Sequence, residues 1–279
     1  MTTILDGKKL RDKIIENLKT KVDKFDKKPI LVVILVGENP ASKIYVNNKK
    51  KMAEKIGINS EVINYPANIT EDELLNKIEE LNNDKNVTAI LVQLPLPNHI
   101  SKDNVMNKIT PSKDVDGFTP YNFGKLFSGE IPTVYPCTPK GILLLLDEYN
   151  IDLEGKHVVI VGRSNIVGRP LSQMMLNRNA TVTVCHSHTK NLSQITKTAD
   201  VLVSAVGKNI IEGEMLKTNC VIVDVGIFKD KNGKTRGDVD FESASKIASF
   251  ISPVPGGVGP MTIASLMLNT VELFEKNSL

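Results

Sequence analysis

The chain has 279 residues, of which 41% are hydrophobic and 24% are charged, and its formal net charge is +3. This length exceeds what one hydrophobic core usually organises, so we expect two domains. The lysines are spread along the chain rather than gathered in one basic patch, which argues against a nucleic-acid binder. The slight positive excess then reflects either an anionic small-molecule substrate or no function at all.

Three features favour a cytoplasmic protein without a membrane segment. The cysteines Cys137, Cys185 and Cys220 are scattered and odd in number, which is typical of a reducing compartment and gives no metal-ligand spacing. The first residues carry acids and bases where a signal peptide needs an apolar core. The longest apolar run, residues 30–36, is far shorter than the ~20 residues of a membrane helix.

Taken in chain order, the first part of the sequence alternates between helical and strand patterns. Apolar spacings of three and four residues predict helices, and unbroken β-branched runs predict strands buried on both faces of a sheet. Thr70 followed by Glu73 has the pattern of a capping box. The predicted elements are a helix over residues 8–25, a strand over 30–37, a helix over 41–57, a strand over 60–65, a helix from 70 and a strand over 87–97. This alternation predicts an open, mostly parallel α/β sheet.

Residues 110–139 interrupt the alternation with a segment rich in Pro, Gly and aromatic residues. A loop of this length inside a compact domain is usually functional. Beyond it the alternation resumes, with a helix over 138–149, a strand over 157–162, a helix over 168–178, strands over 181–185, 199–207 and 220–226, and a last helix ending near 276. The second series predicts a second α/β domain.

The segment HVVIVGRSNIVGRP (157–170) joins a predicted strand to a predicted helix through a glycine turn. Such a turn can place a pyrophosphate at the helix N-terminus. Gly162 and Gly168 give G-x-x-x-x-x-G rather than the usual dinucleotide fingerprint, so an ordinary strand-to-helix turn stays open as the alternative.

The strand that follows ends in CHSHTK (185–190), without the acid that binds the ribose 2′-hydroxyl of NAD. Arg163 in the glycine turn and Ser187 at the strand end offer the cationic and hydroxyl donors that a 2′-phosphate needs, which favours NADP over NAD. His186 and His188 are alternatively surface residues, and for His188 we favour that interpretation.

Four polar side chains in the first half are candidates for chemistry. Tyr45 and Lys49 are four residues apart and share one face of the predicted 41–57 helix, although any lysine in that lysine-rich segment is alternatively a solvated charge. Gln93 ends a buried strand, where ligands of open α/β sheets bind, or it caps its own loop. Asp116 follows Asp114 in a tight turn. The two aspartates lack further oxygen ligands nearby, so we expect no metal site.

Taken together, ten segments resemble the bifunctional methylenetetrahydrofolate dehydrogenase/cyclohydrolase family from end to end. Their occurrence in one order makes the resemblance specific. The segments are ILDGKKL (4–10), VGENPASKIYVNNKKK (36–51), LVQLPLP (91–97), PSKDVDGFT (111–119), PCTPKGI (136–142), VGRSNIVGRP (161–170), TVCHSHT (183–189), DVGI (224–227), GDVDF (237–241) and PVPGGVGPMT (253–262).

The resemblance implies roles for individual residues. Lys49 corresponds to the essential lysine, Gln93 to its hydrogen-bond partner, Tyr45 to the tyrosine that stacks on the p-aminobenzoyl ring, and Asp116 to the aspartate that anchors the pterin. The glycine-rich loop implies further substrate contacts at Pro255, Gly256 and Gly257. Cofactor contacts are implied at Gly162, Arg163, Ser164, Gly168, His186, Ser187 and Ile227. Many members have Asn after DVGI, whereas this chain has Phe228, which affects the local cofactor pocket rather than the catalytic positions.

The resemblance also implies an architecture. Residues 1–139 together with 259–279 would form an α/β catalytic domain that binds folate, and residues 140–258 would form a Rossmann-type NADP domain. The C-terminal helix would return to the first domain, and the active site would lie in the cleft between the domains.

The implied activity is oxidation of 5,10-methylenetetrahydrofolate to 5,10-methenyltetrahydrofolate with NADP, followed by hydrolysis to 10-formyltetrahydrofolate. The enzyme would be a cytoplasmic homodimer of one-carbon metabolism that serves purine biosynthesis, with a folate as its small-molecule partner. Three rival interpretations are a monofunctional dehydrogenase, an amino-acid dehydrogenase and a dinucleotide-sensing protein without activity. The intact set of Lys49, Gln93 and the two loops PSKDVDG and PVPGGVGPMT argues against all three.

Overall fold

The computed structural model describes residues 2–277, and the predicted domain limits at residues 1 and 279 lie outside this range. Within it, helices and strands alternate along most of the chain. In chain order the elements are β1 (Thr3–Ile4), α1 (Gly7–Val22), β2 (Ile30–Val36), α2 (Pro40–Lys55), β3 (Asn59–Tyr65), α3 (Glu71–Asn83), β4 (Ala89–Val92), α4 (Lys102–Lys108), α5 (Pro120–Phe127), α6 (Cys137–Glu148), β5 (His157–Val161), α7 (Gly168–Leu176), β6 (Thr181–Cys185), α8 (Leu192–Thr196), β7 (Val201–Ser204), β8 (Val221–Asp224), β9 (Phe228–Lys229), β10 (Thr235–Arg236), α9 (Phe241–Ala244), β11 (Phe250–Ile251) and α10 (Val258–Asn277).

The described residues divide into two compact units. The three-stranded unit contains residues 13–137 and 263–277, and the six-stranded unit contains residues 2–12 and 138–262. Each is an α/β unit with a parallel sheet, as the sequence predicts. The predicted domain limits stay a proposal, and the first twelve residues differ from them because β1 pairs with β11 of the six-stranded sheet.

In the three-stranded unit the strands lie in the order β3-β2-β4, all parallel. The central strand β2 is the ILVVILV run, and every residue after Ile30 in it is buried. Because β-branched side chains fill both faces, helices must cover the sheet on both sides. One core cluster includes Leu266, Met267 and Val271 of α10. The C-terminal helix therefore returns to the first half of the chain, as the resemblance implies.

The helix α2 ends where the sequence predicts a stop. Gly57 has a φ of +85°, a conformation that glycine adopts without steric cost. Its N–H donates to Glu54 O at 3.1 Å, and the N–H of Ile58 donates to Ala53 O at 3.0 Å. This is the double hydrogen bond of a Schellman cap, which satisfies the last carbonyls of the helix.

In the six-stranded unit the parallel strands lie in the order β1-β11-β8-β7-β5-β6. The chain moves from β5 to β6 on one side and then to β7 on the other side of β5. Strand order thus reverses at β5, and this is the point where open sheets bind ligands. Within residues 2–277, no helix combines the length and the apolar character that crossing a bilayer requires.

The segment 110–139 differs from the predicted loop because it contains the helix α5. Two local features mark the start of α5. Thr119 Oγ1 accepts a hydrogen bond from Asn122 N at 3.4 Å, and Pro120 occupies the first turn of the helix. Proline is favoured there because its missing N–H has no partner in a helix anyway.

Replacement of Thr70 by alanine should lower the free energy of unfolding by about 1 kcal/mol, the usual cost of a lost N-cap. Thr70 Oγ1 accepts from Glu73 N at 3.3 Å and Thr70 N donates to Glu73 Oε2 at 2.9 Å, so the predicted capping box is present. Urea denaturation measures the change. Thr20→Ala is the matched control, because the exposed Thr20 lies inside α1, where alanine is at least as good a helix former. Equal stabilities of the two variants would contradict the capping role.

Candidate active site

Gln93 lies at the reversal point of the three-stranded sheet. Helix α2 leads from β2 to β3 on one side, and α3 leads back past β2 to β4 on the other. Gln93 directly follows β4, and its main-chain N–H donates to Ile34 O of β2 at 2.9 Å. The sheet therefore fixes this glutamine at the edge where a ligand of an open α/β sheet binds.

Lys49 on α2 meets Gln93 through a side-chain hydrogen bond, with Lys49 Nζ donating to Gln93 Oε1 at 3.0 Å. The amide is oriented by a second bond, because Gln93 Nε2 donates to Leu94 O at 2.7 Å. Gln93 thus caps its own loop and binds the lysine at once, and its contact with a ligand stays a prediction. Tyr45, one turn earlier on α2, leaves 46% of its surface exposed and available for contact with a ligand.

Asp116 belongs to the same group of side chains. It lies in the turn after Val115, beyond the end of the short parallel bridge between Ile90 and Asp114. Burial raises the pKa of Asp116 above its ordinary value, and the positive charge of Lys49 opposes that rise. Lys49 and Gln93 are therefore in direct contact, and Asp116 of the same unit lies within electrostatic range of Lys49.

Asp114 is a residue whose importance sequence reasoning missed. Its carboxylate is 2% exposed and accepts four hydrogen bonds, from Gly117 N at 2.9 Å, Phe118 N at 3.2 Å, Thr119 N at 2.8 Å and Asn122 Nδ2 at 2.9 Å. A buried carboxylate with this many donors organises the backbone around it. Asp114 fixes the turn that carries Asp116. The Asp-x-Asp-Gly spacing is the signal that could have identified it, because it is typical of turns in which an Asp side chain accepts hydrogen bonds from nearby main-chain N–H groups.

A second support for this turn comes from the last helix. Asn269 of α10 is fully buried, and its Nδ2 donates to Val115 O and Tyr135 O at 2.9 Å each. Its Nδ2 also lies 3.4 Å from the Cys137 sulfur. No sequence pattern connects Asn269 to a turn more than 130 residues away, so this contact is visible only in the structure.

In the six-stranded unit, Gly162 and Gly168 flank the turn between β5 and α7. A Cβ on Gly168 would lie 2.0 Å from Gly162 O, and a Cβ on Gly162 would lie 2.6 Å from Ala205 O. Gly162 also has a φ of +125°. No side chain fits at either position. Any residue other than glycine would therefore force neighbouring backbone around the turn between β5 and α7 to move apart. Ser164 Oγ accepts from Val167 N at 3.1 Å just before α7.

These contacts fit a dinucleotide. The N-terminus of α7 attracts negative charge, and the absence of side chains on the glycines lets a pyrophosphate approach the backbone. Arg163 and Ser187 are both exposed, at the end of β5 and of β6 respectively. Partial burial lowers the pKa of the His186 imidazole, and the nearby positive charge of Arg163 lowers it further. Arg163 therefore lies near His186 at the end of β6, and the contact of Arg163 and Ser187 with a 2′-phosphate stays a prediction.

Two other loops of the six-stranded unit carry predicted contacts. Ile227 follows β8 and is 49% exposed. Phe228 begins the short β9–β10 hairpin and pairs with Arg236. Behind this loop burial raises the pKa of Asp224 to about 6, although its carboxylate accepts from Gly226 N at 3.1 Å and Val239 N at 3.0 Å.

The loop Pro255-Gly256-Gly257 leads into α10 and lies against the start of α1. Gly256 has a φ of +116°, and its carbonyl accepts from Lys8 N at 3.0 Å. A Cβ on Gly7 would lie 1.8 Å from Gly257 O. The described residues contain no group of three or more His, Cys, Asp or Glu side chains arranged to bind a metal.

Comparisons with known proteins agree with this geometry. The catalytic domain of the tetrahydrofolate dehydrogenase/cyclohydrolase family matches residues 5–116, and the NAD(P)-binding domain of the same family matches residues 136–278. The bifunctional protein FolD of Hydrogenobaculum sp. (strain Y04AAS1) is 55% identical over 275 residues, which cover 98% of this chain and 99% of that protein.

Solved structures give the same result. The crystal structure of the bifunctional methylenetetrahydrofolate dehydrogenase/cyclohydrolase FolD from Campylobacter jejuni is 52% identical, covers 100% of both chains and has a TM-score of 0.98. The Trypanosoma brucei enzyme, complexed with NADP cofactor and inhibitor, is 35% identical, with 99% and 98% coverage and a TM-score of 0.94. With both domains matched and identity above half over the whole length, the chain belongs to the tetrahydrofolate dehydrogenase/cyclohydrolase family.

Proposed function

We propose that the chain oxidises 5,10-methylenetetrahydrofolate to 5,10-methenyltetrahydrofolate with NADP and hydrolyses this product to 10-formyltetrahydrofolate. The observation that carries the proposal is the Lys49–Gln93 hydrogen bond at the reversal point of a sheet, with Asp116 close enough to respond to the charge of Lys49. The reaction is inferred from the family to which the chain belongs. Lys49, Gln93 and Asp116 are chemical groups of the kind that this reaction needs.

NADP is favoured by the residues of the six-stranded unit. The glycine turn and the N-terminus of α7 suit the pyrophosphate, and Arg163 with Ser187 suits a 2′-phosphate at a strand end without an acid. When bound, the cofactor accepts the hydride that leaves the methylene carbon. The cation left on the folate is stabilised by its own N5 and N10, so positioning of the substrate matters more than a strong base.

Positioning would come from Asp116 and Tyr45. A carboxylate accepts two parallel hydrogen bonds from the 2-amino group and ring N–H of a pterin. The exposed ring of Tyr45 offers a flat apolar surface to the p-aminobenzoyl ring. The substrate contacts assigned to Pro255, Gly256 and Gly257 stay predictions.

Hydrolysis would use Lys49. Water attacks the methenyl carbon and loses one proton to give a neutral carbinol. The carbinol hydroxyl then loses its proton to become the formyl oxygen as the bond from that carbon to N5 breaks and N5 gains a proton, so one proton is released overall. An amine beside the reacting carbon can help move these protons, and Gln93 orients it through Oε1.

The test of the proposal is a spectrophotometric assay with methylenetetrahydrofolate and either NADP or NAD, in which methenyl formation and its decay are followed together. We expect faster oxidation with NADP and faster decay of the methenyl compound than in buffer alone. Oxidation without accelerated decay would refute the hydrolytic half, and faster turnover with NAD would refute the cofactor assignment.

Replacement of Lys49 by methionine should lower cyclohydrolase kcat by at least about a hundredfold, the lower end of what general acid–base catalysis contributes. Methionine keeps the length and the apolar stem but cannot exchange a proton. Lys51→Met is the matched control, because Lys51 is exposed on the same helix. Full cyclohydrolase activity in a folded Lys49→Met enzyme would contradict the role.

A homodimer is the second part of the proposal. β6 is the last strand of the six-stranded sheet and pairs on one side with β5. Leu176 before it and Val184 within it are 52% and 36% exposed. An edge strand with apolar neighbours is suited to pair with a second copy of itself.

Sedimentation should give twice the chain mass, and Val184→Lys should shift the protein toward the mass of one chain. An unchanged dimer would place the interface elsewhere.

The cellular setting completes the proposal. Cys137, Cys185 and Cys220 are all buried and none of them is in a disulfide, which suits a reducing cytoplasm. The product carries a formyl group, so reactions that consume formyl groups, as in purine biosynthesis, would use it. Recovery of the activity outside the cytoplasmic fraction of cells would contradict this placement.

A further inference from the structure

Asp238 is a fully buried carboxylate that follows β10. It accepts three hydrogen bonds, from Ser204 Oγ at 2.9 Å, Val206 N at 2.7 Å and Lys208 N at 2.8 Å. All three donors belong to the end of β7 or to the turn that follows it. One carboxylate therefore fixes the whole turn.

The β7 turn (residues 205–208) lies at the carboxyl edge of the six-stranded sheet, beside the glycine turn after β5. A Cβ on Gly162 would lie 2.6 Å from Ala205 O, so the two turns are in direct contact. Because dinucleotides bind at this edge, a shift of the β7 turn would change the shape of the site that Gly162 and Gly168 form.

The loop between β8 and β9 (residues 225–227, the Ile227 loop) packs against the same carboxylate. A Cβ on Gly226 would lie 1.7 Å from Asp238 Oδ1, so the loop backbone packs directly against Asp238. The buried Asp224 accepts from Gly226 N at 3.1 Å and from Asp238 N at 2.9 Å. Asp224 thereby joins the Ile227 loop to the segment that carries Asp238, and both loops share one support.

We propose that Asp238 is a positioning residue for the dinucleotide. It holds the β7 turn and the Ile227 loop in the geometry that binds the dinucleotide. This inference rests on the proposed function, and it assigns Asp238 no contact with the ligand. A carboxylate is needed because two main-chain N–H groups and a hydroxyl all donate to it. An asparagine keeps the shape but turns an NH₂ group toward at least one N–H donor, which leaves a buried donor unpaired.

The test uses the two activities of the full-length enzyme, since oxidation needs the dinucleotide and hydrolysis of methenyltetrahydrofolate does not. In Asp238→Asn, we expect the Kd for NADPH, measured by its fluorescence, and the KM for NADP to rise by at least about tenfold, in line with the loss of a charged hydrogen bond. Cyclohydrolase kcat/KM should stay within about twofold of the parent enzyme. An unchanged Kd, or an equal loss of both activities, would overturn the inference.

Asp240→Asn is the matched control, because Asp240 lies two residues along the same segment and caps α9 through a bond to Ser243 N at 3.1 Å, which asparagine can also accept. It should change neither activity, and a rise in its Kd equal to that of Asp238→Asn would overturn the inference. If Asp238→Asn does not fold, Ser204→Ala removes one of the three bonds and should raise the Kd for NADPH about threefold with hydrolysis unchanged. No rise would overturn the inference.

The proposed function and this inference fail separately. NADPH fluorescence reports on Asp238 even when the parent enzyme turns over no folate, whereas the folate assay of the parent enzyme does not depend on Asp238. A parent enzyme that binds NADPH but oxidises no methylenetetrahydrofolate would refute the function alone.

Discussion

The hydrogen bond from Lys49 Nζ to Gln93 Oε1 joins a surface helix to the end of a buried strand. It forms because β4 stops at Val92, beside β2, where strand order reverses and a polar side chain reaches solvent. The β-branched runs inside the sheet exclude polar groups, so the strand ends are where side chains for chemistry can gather. The same constraint acts in the six-stranded unit, where the turns after β5, β7 and β8 adjoin one another at one edge.

Much of this fold can be predicted because the local signals agree with the final structure. The run over residues 30–36 is too apolar for anything but a buried element, and the Thr70–Glu73 capping box and Gly57 mark helix ends on their own. The short strands β1 and β11 were not predictable, since two residues carry no periodicity and their pairing joins distant parts of the chain. The helix α5 was obscured by the Pro and Gly residues around it.

The residues of the candidate site likewise divide into those that the sequence could identify and those that it could not. Helical spacing places Lys49 and Tyr45 on one face, and a strand end makes Gln93 a candidate, but only the resemblance distinguished Lys49 from its neighbouring lysines and gave these residues roles. Asp114 and Asn269 could not be selected, because their significance lies in burial and in partners that only the folded chain brings together. Sequence reasoning thus finds side chains that face a ligand more readily than those that fix the backbone behind them.

The last helix has a consequence for synthesis of the chain on the ribosome. The core of the three-stranded unit contains residues from Ile15 to Cys137, but it also contains Leu266, Met267, Val271 and Leu273. These four side chains emerge after every residue of the six-stranded unit has been made. The usual order, in which the N-terminal domain folds first, is therefore reversed. The apolar surface that α10 covers therefore stays exposed in the nascent chain while residues 138–262 are being made.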